Sequence, residues 1–144
     1  LPMDGGAHWQ KLFADIRGFL DGLPGEGETA ALRAPLSDAL GRLEEATRWF
    51  ATHANQPDDV AAGATPYLRL FASTVGGWLM ARQAVEPQRR LAAGEGDPAF
   101  LKAKTVTARF YLEQILPQDA ALLSAITRGA EPLYALSEDQ FLAA

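Results

Sequence analysis

A chain of 144 residues with 13 Lys and Arg against 18 Asp and Glu carries a formal charge of -5, which opposes a nucleic-acid backbone as ligand, because phosphate binding draws on an excess of cations. It has no Cys, so disulfides, thiolate nucleophiles and thiolate metal sites are excluded, which suits a reducing compartment with the cytoplasm as default. At this size one domain over 1–144 is expected, able to bury roughly 70% of its unfolded surface without a metal or covalent staple.

Between Ala7 and Leu23 the large apolar residues Trp9, Leu12, Phe13, Ile16, Phe19, Leu20 and Leu23 recur at the three-and-four spacing of one helical face. This predicts a first helix, stopped by Gly22, Pro24, Gly25 and Gly27. Thr29 is the expected cap of a second helix, in which Leu32, Leu36, Leu40, Leu43, Thr47 and Phe50 repeat while Glu44, Glu45 and Arg48 take the wet side. It runs to about His53. Residues 55–59 read as a turn with capping carboxylates at Asp58 and Asp59, and a third helix follows through Tyr67, Leu68, Phe71, Val75, Trp78 and Leu79. Thr65-Pro66 inside its start and Pro87 near its end are expected kinks, since each proline removes a ladder hydrogen bond. The uncharged run 70–81 falls short of the about 20 residues that span a bilayer, so no membrane helix is expected.

Gly94-Glu95-Gly96 makes the next turn, and Asp97-Pro98 supplies an N-cap followed by the residue best suited to the first helical position. The fourth helix then carries Phe100, Ala103, Phe110, Leu112, Ile115, Leu116, Leu122, Leu123 and Ile126, with a bend expected at Pro117. Ser137 and Gln140 have the spacing of a capping box that starts a short last turn ending at Phe141. No sustained period-two run supports a strand. The expected fold is all-α, an antiparallel four-helix bundle with Phe13, Ile16, Leu40, Leu43, Phe71, Val75, Phe110 and Ile115 in its core.

Chemistry is sparse. The histidines are His8 and His53, neither with a Glu three residues before it, so the ligand set of a bundle metal site is missing and both read as boundary residues. No Gly-x-Ser-x-Gly elbow surrounds a serine. Gly25-Glu26-Gly27 and Gly94-Glu95-Gly96 follow no strand and read as turns, not phosphate loops. Glu44 and Glu45 are adjacent, and helix neighbours diverge by about 100°, which suits a solvated face better than a shared acid–base pair. Glu113, among Phe110, Leu112 and Ile115, reads as an exposed face position rather than a half-buried acid. Arg89, Arg90, Lys102, Lys104 and Arg109 are candidates for the phosphates of a CoA, against the plainer reading that cations suit a helix C-terminus. The aromatics Trp9, Trp49, Tyr67, Trp78 and Tyr111 read mainly as core, with Trp49 the one expected to face a neighbour. Gly76 and Gly77, with Ala72 and Ser73 four residues earlier, mark a stripe of small side chains where close helix packing is expected.

One resemblance runs along nearly the whole chain. Residues 1–6, Leu1-Pro2-Met3-Asp4-Gly5-Gly6, precede the first amphipathic helix. Then come Gly63-Ala64-Thr65-Pro66-Tyr67-Leu68, Gly76-Gly77-Trp78-Leu79, Ala108-Arg109-Phe110-Tyr111 and Ile115-Leu116-Pro117, in that order. Together they resemble the extra C-terminal domain of bacterial FAD-dependent acyl-CoA dehydrogenases, in the methylmercaptopropionyl-CoA dehydrogenase-like subgroup. The chain opens on Leu1 with no secretory leader pattern, and the native start is expected to lie elsewhere. The resemblance implies a parent enzyme that dehydrogenates an acyl-CoA thioester, a carboxylate taking the α proton while FAD takes hydride from the β carbon. It also implies that the base and the flavin contacts lie outside this chain. No catalytic, cofactor-binding or metal residue is therefore assigned here, and the chain alone is expected to bind no FAD. The implied partners are the catalytic core of the same enzyme, a homodimer of the parent, and acyl-CoA through the core. A domain parted from that core should show an apolar surface. The alternative is a free-standing helical interaction module with no catalytic role.

Overall fold

The structure, a computed structural model, describes residues 3–142. Those residues are helical, with no strand among them. The α-helices are α1 (Ala7–Asp21), α2 (Arg33–Thr52), α3 (Pro57–Ala92), α4 (Pro98–Phe110), α5 (Leu122–Thr127) and α6 (Glu138–Leu142), and 3₁₀ turns cover Met3–Gly6, Ala30–Leu32, Leu116–Ala121 and Glu131–Tyr134. A single π turn, Tyr111–Ile115, joins α4 to the third of these. The all-α class is as the periodicity predicts, but the fourth arm is a sequence of α, π, 3₁₀ and α pieces rather than one bent helix.

α1 and α2 form where the large apolar residues place them. Phe13, Ile16 and Leu20 of α1 and Leu36, Leu40, Leu43 and Phe50 of α2 are buried together. α1 ends at Asp21, two residues short of the expected span, and Leu23 is buried just beyond it. Arg17 of α1 pairs with Glu44 of α2 across their outer edge. Thr29 is not a cap: it is buried in helical backbone without a side-chain bond to the helix, and the chain enters α2 through the Ala30–Leu32 turn. The turn expected over 55–59 is shorter: Asn55 and Gln56 precede α3, and Pro57, Asp58 and Asp59 form its first turn. Proline serves there because the first N–H has no helical partner. Asp59 Oδ1 accepts from the Ala130 N–H at 2.7 Å, so this carboxylate ties α3 to the chain after α5 rather than capping its own helix.

α3 is 36 residues long and packs against α2, α4 and α5. Pro66 and Pro87 both lie inside it. Its buried line is Gly63, Leu70, Thr74, Gly77, Ala81, Ala84 and Pro87, one residue off the expected Phe71 and Val75, which are half-buried. Spacing of large side chains misplaces the line because the residues that face the core are mostly small.

The same cause corrects α4. Its buried residues are Leu101, Thr105 and Ala108, continued by Leu112 and Leu116, whereas Phe110 and Ile115 are exposed and lie outside the core. At 100° per residue Phe110 falls roughly opposite that line. Asp97 does cap α4, its Oδ1 accepting from the Ala99 N–H at 2.9 Å. The ladder departs from α over Tyr111–Ile115, which holds Glu113, the residue whose carbonyl Pro117 has no N–H to serve, so the disturbance lies on the N-terminal side of the proline. At the tail Gln140 Oε1 accepts from the Ser137 N–H at 2.8 Å, the expected arm of a capping box at α6.

Candidate functional site

Polar groups converge where the π turn crosses the middle of α3. The glycines permit the crossing: a Cβ on Gly76 would lie 2.8 Å from the Tyr111 hydroxyl oxygen, and one on Gly77 would lie 3.0 and 3.2 Å from methyl carbons of Leu116 and Leu112. The stripe of small residues therefore takes a close neighbour, which is the chain's own 111–116 segment. With the ring so placed, the Tyr111 hydroxyl donates to the Ser73 carbonyl at 3.1 Å. One turn further along, Arg69 Nε donates to Oδ1 of the buried Asp119 at 2.9 Å. A cavity of about 350 Å³ opens between these groups, lined by Arg69, Ser73, Tyr111, Ile115, Gln118 and Asp119. Burial raises the Tyr111 phenol above its ordinary value, and the Asp119 charge raises it further.

This arrangement is a clasp rather than a reaction centre. Ser73 Oγ donates back to the Arg69 carbonyl at 2.8 Å, the phenol is committed to Ser73, and the carboxylate is compensated by a guanidinium. No base stands beside a nucleophile.

A larger cavity, about 680 Å³, lies between the first turn of the chain and the α2–α3 corner, lined by Gly6, Trp9, Thr47, Phe50, Ala51 and Val60 among others. A flavin dinucleotide needs cations or helix N-termini for its pyrophosphate and polar groups for its ring edge. The residues that line the cavity include no cation, and the start of α1 that borders it carries the Trp9 ring. The hydroxyl of the lining is occupied, since Thr47 Oγ1 donates to the Leu43 carbonyl at 2.7 Å and shares a hydrogen bond with Tyr67 at 2.8 Å. These residues do not fit FAD.

The residues singled out by sequence fall as follows. His8 is exposed on α1. His53, half-buried at the end of α2, stacks on Trp49 at 4.2 Å, and its Nδ1–H donates at 2.8 Å to the Trp49 carbonyl, which also accepts from the His53 backbone N–H at 3.0 Å. Trp49 is thus engaged by His53 and by the edge of Phe50 rather than bare. Among the described residues no group of three His, Cys, Asp or Glu is placed to hold a metal. Glu44 pairs with Arg17 while Glu45 is exposed, so the adjacent carboxylates diverge. Glu113 is exposed and accepts from Arg109 Nε at 3.0 Å.

The five candidate cations do not form a cradle. Arg89 donates twice to Glu86, at 3.0 and 2.8 Å, which holds the Glu86 carboxyl below its usual range. Lys104 sits over the Phe100 ring at 5.4 Å, and Lys102, two residues earlier, points about 160° away. The Arg69–Asp119 and Tyr111–Ser73 bonds escaped sequence reasoning because their partners are 50 and 38 positions apart. The available signal was an Asp two residues after Pro117, at the head of the apolar run 120–123.

Comparison with known proteins gives two matches. The sequence profile of the family described as "Acetyl-CoA dehydrogenase C-terminal like" matches residues 12–137. The 3-methylmercaptopropionyl-CoA dehydrogenase of Ruegeria pomeroyi (strain ATCC 700808 / DSM 15171 / DSS-3) is 31% identical over 135 residues, which are 92% of this chain and 23% of that protein. The chain thus spans about a quarter of the length of this relative.

Proposed function

Since the chain belongs to the family of acetyl-CoA dehydrogenase C-terminal-like domains, we propose that residues 1–144 are a single accessory domain of an FAD-dependent acyl-CoA dehydrogenase. In this reading the domain packs on the catalytic core of a cytoplasmic, bacterial, homodimeric enzyme. The flavin, the base and the acyl-CoA site belong to that core, and the four helical arms of the domain form an antiparallel bundle beside it. The free-standing interaction module draws on nothing that family membership leaves unexplained.

The observation that carries the reading is that α3 is apolar on two faces. Opposite its buried line run Ala61, Ala64, Leu68, Ala72 and Leu79, all exposed, at the spacing of one helical stripe. An apolar stripe on the outer side of a surface helix ordinarily marks a contact with a neighbour. Leu68 and Leu79, 68% and 45% exposed, are the side chains that a core would cover.

Coproduction with the flavin-carrying portion of its enzyme tests this. The chain is expected to co-purify with that portion, and Leu68→Asp with Leu79→Asp to release it while the helical spectrum is kept. Tight stoichiometric FAD binding by the 144-residue chain alone overturns the division of labour.

A further inference from the structure

Away from α3, two more apolar surfaces stand open, and their charges are opposite. The first is the outer side of α4, where Phe100, Val106 and Phe110 are more than half exposed around Ala103. Lys102 and Arg109 flank it on one side and Lys104 on the other, and the stretch 100–110 contains no acidic residue. The second is the stretch 131–142, where Leu133, Tyr134, Leu136, Phe141 and Leu142 are exposed and neither helical turn has a buried residue. It carries Glu131, Glu138 and Asp139 and no cation. Apolar clusters of this size on a lone chain mark contact surfaces.

We propose that the 131–142 segment of one copy docks on the outer face of α4 of a second copy, and that the exchange is reciprocal about a two-fold axis. Charge selects this pairing. α4 against α4 would set Lys102 and Lys104 against themselves, since Arg109 is already paired with Glu113, and tail against tail would oppose Glu131, Glu138 and Asp139. The exchange pairs cations with carboxylates at both contacts.

Distance keeps a copy's own tail from the Phe100 and Lys104 end of that face. The tail leaves the fold at Ala130, held beside Asp59 in the first turn of α3, whereas Phe100 and Lys104 line a groove with Met80 and Gln83. Asp59 and Met80 are about 32 Å apart along a helix axis, and the tail in its 3₁₀, loop and α conformations spans about 25 Å. A second copy lying antiparallel brings its tail to the required end. The symmetry also doubles the contact, toward the roughly 800 Å² per partner of a stable interface.

Sedimentation velocity of the 144-residue chain across the micromolar range is the test. A monomer–dimer equilibrium is expected. The pair Lys102→Glu and Lys104→Glu should weaken it about tenfold, as should Glu138→Lys with Asp139→Lys, and all four changes together should restore it. All four sites are exposed, so the fold is unaffected. The absence of Cys gives a second readout: Phe100→Cys chains mixed with Phe141→Cys chains should form a mixed disulfide under mild oxidation, and neither should couple to itself. A monomer at every concentration overturns the proposal, as do charge reversals that add rather than compensate, or self-coupling that exceeds mixed coupling.

Discussion

A methyl group built on Gly76 meets the Tyr111 hydroxyl oxygen at 2.8 Å and the ring carbon behind it at 3.4 Å. Only the hydroxyl has to move, and moving it breaks the bond to the Ser73 carbonyl. Ala in place of Gly in a helix is worth about 1 kcal/mol, and the broken bond together with the displacement costs more than that. Gly76→Ala is therefore expected to destabilise by about 1 kcal/mol in the natural chain and to stabilise by about 0.5 kcal/mol when Tyr111 is Phe. Denaturant melts of the four proteins measure the difference. The tyrosines also give alkaline stability a direction. Burial raises both Tyr67 and Tyr111; the Asp119 charge adds at Tyr111, and the Thr47 hydrogen bond opposes at Tyr67. The fold then favours the neutral phenol, so its contribution is intact below the unfolded value of about 10 and is lost as pH rises through the folded values. Urea melts up to about pH 11 should show this loss, and a smaller one in Tyr111→Phe.

α3 meets α5 and α2 at Gly63, where a Cβ would lie 3.1 Å from the Ile126 carbonyl oxygen and 3.1 Å from the Phe50 ring. The first neighbour is backbone and cannot rotate away. Gly63→Val is thus expected to destabilise by about 2–3 kcal/mol, read from the denaturation midpoint at unchanged m-value. The same helix explains what the sequence could and could not disclose. α1 and α2 are legible because Phe13, Ile16, Leu36, Leu40 and Leu43 combine large size with burial. The caps at Asp97 and Ser137 are legible because they depend on two or three adjacent residues. α3 misleads because Gly63, Thr74, Gly77, Ala81 and Ala84 face inward while larger side chains stand beside them. On α4, Thr105 and Ala108 are buried while Phe110 is not. A preference for large residues fails wherever two backbones come close. The clasp of Arg69, Ser73, Tyr111 and Asp119 is illegible for a different reason: only the crossing brings its members together.

Taken whole, the described residues are well packed, and the polar groups that meet at the α3 crossing are bonded to one another. The 144-residue chain is expected to give no flavin absorbance change on titration with FAD, since its largest described cavity is apolar and its hydroxyl is already bonded. One local feature sets the arrangement of everything after it. A π turn holds about one residue more than an α turn, so Tyr111–Ile115 acts as an insertion already absorbed by the helix. Every side chain downstream is set back by about a quarter turn in phase. Deleting the exposed Gln114 would let the ladder close as plain α and leave Asp119 facing Arg69 and Ile126 facing Gly63, because the lost residue and the lost width offset each other. That deletion is expected to stay within about 1 kcal/mol of the natural chain, read from the denaturation midpoint, and a loss of more than about 3 kcal/mol overturns it. The spare residue and the wide turn that holds it cancel, so the far half of the fold meets its partners with both or with neither.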